Sequence, residues 1–327
     1  MSVKEEIIRV FEKKRGVYLS GNDIAEMLDI SRTAVWKNIK NLISEGYRIE
    51  SAGNRGYIMM PDTDVLSEAG TEKYLKDMAG IFRFEIQDKV TSTNDVLKER
   101  AAEGAGEGLV AAAVSQTKGK GRMGRSFESP KNSGLYFSLL LRPDIPLEET
   151  TLLTAAAAVA VCRAVESISD IKPEIKWVND VYLDGKKTTG ILTEAAFNGE
   201  MSSLDYVIVG IGMNLYLPEG GFSGELKNKA GSFFEKPVED CRNRLLAGVL
   251  KEFWNIYKNF EDKSFVEEYK KRSFVTGREI EVISRGTARS AKALDIDDRC
   301  RLKVEYRDGT CEFLNSGEIS IKPVFTA

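Results

Sequence analysis

Ser115-Gln116-Thr117-Lys118-Gly119-Lys120-Gly121-Arg122-Met123-Gly124-Arg125 sets three glycines among four cations, with an apolar run on each side. Glycine permits backbone conformations and close approaches that other residues resist. Such a loop can therefore bring bare backbone N–H groups and positive side chains onto one polyanion, for which nucleotide phosphates are the natural case. The chain has no histidine. Ser-His-Asp catalysis, HExxH zinc sites and C2H2 fingers are excluded with it. Any reaction must run on lysine, arginine, carboxylates and backbone dipoles.

Gly119 to Gly124 matches GxGxxG formally, but that fingerprint needs a helix directly after the loop to receive a pyrophosphate. Here Ser129-Pro130-Lys131-Asn132-Ser133-Gly134 leads into the strand pattern of residues 134–141. The dinucleotide reading fails. No HRD or DFG follows in order, which removes a protein kinase, and no GxxxxGK[ST] occurs. Around the loop the pattern is mixed α/β. Strands are expected at 84–90, 109–114, 134–141, 187–195 and 206–211, a helix from Thr91-Ser92-Thr93-Asn94-Asp95 through Lys98, and an alanine-rich helix at 150–165.

The first sixty residues read differently. Helical patterns cover 3–14, then a segment capped by Ser20 with Ile24, Ala25, Met27 and Leu28. A third, capped by Ser31, carries Val35, Ile39, Leu42 and Ile43 at core spacing and ends at Gly46. A hairpin at 47–59 turning on Gly53-Asn54-Arg55-Gly56 completes a winged helix-turn-helix. The third helix offers Arg32, Thr33, Trp36, Lys37 and Lys40, with no acid between Asp29 and Glu45. Together with Arg55 at the wing tip, these suit phosphates and base edges. The alternatives are a solvated helix face or a protein-docking module. One winged helix reads one half-site, so specific binding calls for a dimer. A linker is expected at 60–64.

At 327 residues, with 42% hydrophobic and 30% charged residues and a net charge of −3, the chain has room for two or three domains. A nucleic-acid site must come from local clustering, since the bulk charge is nearly neutral. Cys162, Cys241, Cys300 and Cys311 form no CxxC pair and read as reduced thiols. With no secretory leader or membrane-length apolar run, a cytoplasmic protein that avoids the membrane is expected.

Five motifs in order resemble the biotin–protein ligases. They are Thr91-Ser92-Thr93-Asn94, the loop from Gln116 to Arg125, Lys176-Trp177-(x)-Asn179-Asp180, Lys187-(x)-(x)-Gly190-Ile191-Leu192, and Gly210-Ile211-Gly212-Met213-Asn214. With the winged helix in front, the chain is similar to the bifunctional type that also represses biotin genes. The resemblance implies a winged domain at 1–62 and a mixed α/β ligase domain of the biotin/lipoate type at 66–272. A small SH3-like β-barrel is implied at 274–327, with strands at 279–282, 302–306 and 319–321.

It further implies synthesis of biotinyl-5′-adenylate from biotin and ATP with magnesium, then transfer to a lysine of a biotin carboxyl carrier protein. The implied catalytic residues are Lys187, Arg122, Lys120 and Asp180; Asp180 has two open roles, magnesium ligand or orienter of the incoming lysine. Implied biotin contacts are Ser92, Thr93, Asn94, Gln116, Lys120, Arg122, Tyr136, Lys187, Gly190, Leu192 and Gly210. Implied ATP or adenylate contacts are Gly119, Gly121, Arg122, Gly124, Arg125, Phe127, Asn179, Lys187 and Asn214. No metal ligand is singled out.

Operator DNA would bind through residues 1–62, with the adenylate-loaded chain as a homodimer. Ser92 and Thr93 also suit a helix cap, Trp177 suits the core, and Lys186 suits solvent. Lys120 stands where the family usually has arginine, Phe127 where tryptophan is common, and Leu294 and Cys300 where glycines are usual. The rival readings are a lipoate–protein ligase and a ligand-sensing transcription factor with an inactive ligase domain.

Overall fold

The computed structural model describes residues 2–198, 203–284, 287–315 and 317–321. The chain forms two units: Met1–Ile81 with Lys236–Gly248, and Phe82–Glu235 with Val249–Ala327.

In the first unit α1 (Val3–Lys13), α2 (Gly21–Leu28) and α3 (Arg32–Ser44) start at Ser2, Ser20 and Ser31. Each serine hydroxyl accepts the N–H of the residue three further on. Glu5 and Asp23 return the bond in the first two, satisfying donors a helix start leaves open. Asp29 ends α2 in the left-handed conformation. The hairpin is β1 (Ile49–Ser51) and β2 (Tyr57–Met59). Ile7, Phe11, Ile24, Val35, Ile39, Leu42 and Met59 form one core. Ile43, expected there from its spacing, is 48% exposed, and Met27 of α2 is 49% exposed. Positions 35, 39 and 42 already define the buried stripe of α3, and residue 43 stands about 40° past its edge at Ile39.

α4 (Glu68–Leu75) closes the unit around a charged cluster. Asp240, fully buried, lies 3.2 Å from Arg15 and 2.7 Å from Lys73, and accepts from Tyr74 and Asn243. Glu12 pairs with the same Arg15 and Lys73 nitrogens, each at 2.6 Å. The expected linker is held too, as Arg15 donates to the Pro61 and Thr63 carbonyls at 3.0 and 2.7 Å.

The second unit is built on β3 (Arg83–Val90), α5 (Thr93–Ala102), β4 (Leu109–Gln116), β5 (Gly134–Leu141), α6 (Thr150–Glu166), β6 (Glu174–Lys176), β7 (Asp180–Leu183), β8 (Lys186–Asn198) and β9 (Ser203–Asn214). The seven strands run in the order β3-β4-β5-β9-β8-β7-β6, with only β3 and β4 parallel. Register sorts the side chains into two faces. Leu140 and Ile208 meet Leu97 of α5 on one face. On the other, Thr193 of β8 meets Thr154 of α6. α7 (Cys241–Lys258), whose first part lies in the other unit, and α8 (Ser264–Arg272) follow.

The C-terminal sheet comprises β10 (Glu279–Ser284), β11 (Thr287–Ile296), β12 (Leu302–Tyr306), β13 (Cys311–Leu314) and β14 (Glu318–Ile321) in the antiparallel order β13-β12-β11-β10-β14. The two departures from glycine stand where its backbone is irregular. Leu294 lies at a register shift between Ala293 and Asp295, and Cys300 has φ 56°. No described helix is long and apolar enough to cross a membrane.

Candidate functional site

One row of directly paired residues crosses the central sheet: Tyr136, Gly212, Gly190, Asp180 and Lys176. Directly paired residues share a face, and this is the α5 face. Gly210 stands one step along the same face, paired with Ser138 and Leu192. The alternating Ile191, Ile211 and Met213 point the opposite way and are buried. The Gly210-Ile211-Gly212 pattern therefore buries one side and lowers the floor of a cleft on the other. The Phe127 ring lies on that floor: a Cβ at Gly212 would stand 2.5 Å from its Cε1, and one at Gly190 3.2 Å from its Cδ2.

A bulge decides which lysine reaches this cleft. Val181 pairs Thr189, but Tyr182 pairs Lys187, so one extra residue turns the Lys187 side chain onto the Asp180 face. Lys187 Nζ lies 2.7 Å from Asp180 Oδ1, while Lys186 is exposed. The approach is an ion pair whose angles are not those of a hydrogen bond, since Oδ1 has no aligned donor. That oxygen keeps its accepting capacity. Burial pulls the ammonium of Lys176, the next residue in the row, below its ordinary range, and Asp180 opposes the shift.

The basic loop is a narrow hairpin. Gln116 pairs Ser129 and Lys120 pairs Ser126; Gly121 N donates to Arg125 O at 2.7 Å and Phe127 N to Gly119 O at 2.8 Å. Those two amides serve the hairpin, contrary to the expectation of bare donors throughout. Gly119 is required by this closeness, because a Cβ there would meet Phe127 O. Gly124 supplies a positive φ at the tip beside Met123. The cations spread over three partners: Lys120 on Asp95, Arg122 on Asn179 at 3.0 Å, and Arg125 on Glu318. Burial pulls the Arg122 guanidinium below its ordinary range, and Asp180 opposes the shift.

At the α5 end, Ser92, Thr93 and Asn94 are buried. Ser92 occupies the cap position, yet its side chain makes no capping bond. Thr93 N donates to Gln116 Oε1 at 2.8 Å, and Gln116 Nε2 donates to Ser129 Oγ at 2.8 Å. Asn94 fills the space over Gly210 and bonds Ser138 and Glu194. Ser129, Ser138 and Glu194 were not anticipated. A lone serine inside the otherwise apolar strand 134–141 was the available signal for Ser138.

Tyr136 is fully buried; its hydroxyl donates to Pro130 O and its ring stands edge-on to Phe127 at 6.4 Å. Asn214 donates to Gly231 O at 3.1 Å, so its amide holds the segment beside Lys187, whose own carbonyl accepts from Gly231 N. Trp177 is core, 3% exposed.

In the first unit Arg32, Thr33, Trp36, Lys37, Lys40 and Arg55 are all exposed. Lys40 lies over the Trp36 ring at 4.1 Å and Arg55 over Tyr18 at 4.4 Å. A groove of about 670 Å³ between α3 and the wing is lined by Arg32, Thr33, Trp36, Ser51 and Tyr57.

Three family descriptions match in order: an HTH domain at residues 3–58, the biotin/lipoate A/B protein ligase family at 86–214, and a biotin protein ligase C-terminal domain at 275–322. The bifunctional ligase/repressor BirA of Bacillus spizizenii is 35% identical over 94% of this chain and 95% of its own length, so the likeness spans all three parts. The biotin–[acetyl-CoA-carboxylase] ligase of Mycobacterium tuberculosis is 30% identical over 80% of this chain and 98% of its own. The Aquifex aeolicus biotin protein ligase solved with biotin and ATP superposes with a TM-score of 0.61 at 29% identity. It covers 73% of this chain and 98% of its own. With a glycine-floored cleft, a bulge-directed lysine and a winged helix in one polypeptide, the chain belongs to the bifunctional ligase/repressor group of the biotin–protein ligase family.

Proposed function

We propose that this chain activates biotin with ATP, transfers it to a carrier-protein lysine, and represses transcription through its winged helix. The observation that carries the reading is the Lys187–Asp180 pair, placed beside the Gly190–Gly212 floor on the face that α5 caps. A floor without side chains of its own leaves room for a ring such as the planar ureido ring of biotin, and Thr93 and Gln116, with Asn94 behind them, supply donors and acceptors for its edge.

In the first step a biotin carboxylate oxygen attacks the α-phosphorus, and the bond from that phosphorus to the bridging oxygen breaks. The products are biotinyl-5′-adenylate and pyrophosphate. Lys187 neutralises the carboxylate and the α-phosphate, and Arg122 with Lys120 and Arg125 stabilises charge building on phosphate oxygens. Gly119, Gly121 and Gly124 let the hairpin approach the nucleotide, with Phe127, Asn179 and Asn214 on the adenylate side. In the second step the neutral carrier-lysine amine, oriented by Asp180, attacks the acyl carbon; the bond from that carbon to the phosphate oxygen breaks, AMP leaves, and the proton of the new amide nitrogen passes to solvent.

Among the described residues no group of three or more His, Cys, Asp or Glu side chains could enclose a metal. Asp180 would hold magnesium as a single carboxylate ligand, and the ion would supply charge neutralisation at the phosphates. The carrier is a biotin carboxyl carrier domain, the setting is the cytoplasm, and adenylate-loaded chains pair as a homodimer on a two-fold operator.

The test is biotin-dependent exchange of labelled pyrophosphate into ATP with magnesium, with lipoate as the control acid. Exchange with biotin alone is expected. Exchange with lipoate alone identifies a lipoate ligase, and no exchange with either acid identifies a sensor.

A further inference from the structure

We propose that Glu194 and Ser138 are positioning residues that fix, through Asn94 and Thr93, which groups the biotin pocket offers as donors and which as acceptors. This rests on the biotin-ligase reading above. The direction of the network is set from its outer end. The Glu194 carboxylate only accepts: Oε1 takes Lys98 Nζ and Oε2 takes Asn94 Nδ2, each at 2.7 Å. Asn94 and Lys98 are one helical turn apart on α5, so one carboxylate on β8 serves both.

With its NH2 committed to Glu194, Asn94 turns Oδ1 toward Ser138 Oγ, 2.6 Å away. An amide oxygen cannot donate, so the single Ser138 proton goes to Asn94. Ser138 is fully buried, and its oxygen stands 2.7 Å from Thr93 Oγ1. Ser138 Oγ is the donor in this second contact too, so Thr93 takes the weaker share of that one proton. Thr93 spends its own proton on Gln116 Oε1 at 3.2 Å, which already takes Thr93 N. What Thr93 keeps for the cleft is a lone pair, an acceptor for a ureido N–H. Gln116 Nε2 bonds Ser129 with one hydrogen and keeps the second for an acceptor such as the ureido carbonyl.

Losing either positioning residue scrambles this pattern. In Glu194→Gln the new amide can face Asn94 with its own NH2. Asn94 then turns over, and the Ser138 proton is driven onto the Thr93 lone pair. In Ser138→Ala the link is cut and Asn94 Oδ1 is left buried without a donor.

The experiment uses the full chain as wild type, Glu194→Gln, Ser138→Ala and Ser138→Thr. It measures biotin Kd by calorimetry without ATP, together with KM for ATP in pyrophosphate exchange. Glu194 is partly exposed and glutamine is isosteric with it, so that variant keeps the fold even if a Ser138 variant does not. The expected result is a biotin Kd raised about tenfold in Glu194→Gln and Ser138→Ala. KM for ATP stays unchanged, and Ser138→Thr, which restores the hydroxyl, recovers affinity. A biotin Kd within about twofold of wild type in Glu194→Gln, or equal losses of biotin and ATP affinity, overturns the proposal. Failure of the wild type to bind biotin or exchange pyrophosphate overturns the ligase reading instead.

Discussion

Lys187 Nζ stands 2.7 Å from Asp180 Oδ1 because β8 carries one more residue than β7 between their paired ends. A strand alternates faces, so without that bulge Lys187 would turn to the opposite face of the sheet. The pair also leaves a cation beside the floor formed by Gly190, whose Cβ would stand 3.3 Å from Lys187 Cε.

Two adjacent lysines therefore differ sharply. Lys187→Ala is expected to lower biotin-dependent pyrophosphate exchange by about 100-fold or more, the scale for losing a fixed cation at a developing charge. Lys186→Ala, on an exposed residue, should leave exchange within about twofold of wild type, as surface substitutions usually do. Comparable losses in the two variants would show that the bulge does not select the catalytic cation.

How much the sequence disclosed follows the range of each interaction. The caps at Ser20 and Ser31 were legible because a cap and its N–H are three residues apart. The sheet order was not, because β5 lies beside β9, and no local pattern records that pairing. The loop's cations were legible as cations, but their partners were not: Asp95 and Glu318 lie 25 and 193 residues from Lys120 and Arg125. β11 escaped notice because its buried positions include the small Ala291 and Ala293, which alternate weakly against polar neighbours. α4, α7 and α8 fall in segments for which no element was expected.

The glycine floor gives a graded prediction. At Gly212 a methyl group would sit 2.5 Å from Phe127 Cε1, whereas at Gly190 its nearest neighbours are at 3.2 to 3.3 Å. Gly212→Ala should raise KM for biotin about tenfold or more, and Gly190→Ala should raise it by less, since the smaller overlap relaxes more readily. Steady-state exchange across biotin concentrations checks the ranking, and the reverse order would remove Phe127 as the group over the floor.

Trp177 Nε1 donates to Cys300 O at 2.8 Å, joining the Lys176-Trp177 motif to the turn before β12. Cys300 holds φ 56° and is fully buried, and burial pushes its thiol up to about 12. Trp177→Phe leaves that carbonyl without its donor and removes ring volume, a loss of about 2 kcal/mol. Calorimetric unfolding should show a lower midpoint for the variant. An unchanged midpoint would mean that water or a neighbour replaces the indole at no cost.

Glu318 on β14 pairs with Arg125 of the basic hairpin, and this hydrogen bond holds its carboxyl below the ordinary value of 4.5. A carboxyl whose folded pKa is depressed contributes stability above its unfolded pKa, and that contribution is lost as pH falls through the folded value. Glu318→Gln should therefore be less stable than wild type at neutral pH, and the gap should close as pH drops below about 4.5. The exposed arginine keeps the effect small. Thermal unfolding of both proteins from pH 7 to pH 3 tests it, and a gap that widens on acidification would have the wrong sign.

For the winged helix, point substitutions are better probes than deletion. Removing residues 1–62 would take Arg15 from the buried Asp240 carboxylate and Glu12 from Lys73. It would thereby damage the cluster that closes the unit, and lost DNA binding would be ambiguous. Arg32 and Lys37 are exposed on α3 and have no ion pair among the described residues. If both meet phosphates, the double variant Arg32→Ala, Lys37→Ala should weaken binding to all sequences alike. It should also reduce the slope of log affinity against log salt by about 0.9 for each phosphate no longer neutralised, close to 2 in total. If instead they read base edges, the slope stays nearly constant and discrimination between operator and unrelated DNA falls. Equal affinity, slope and discrimination in variant and wild type would remove α3 from the DNA interface.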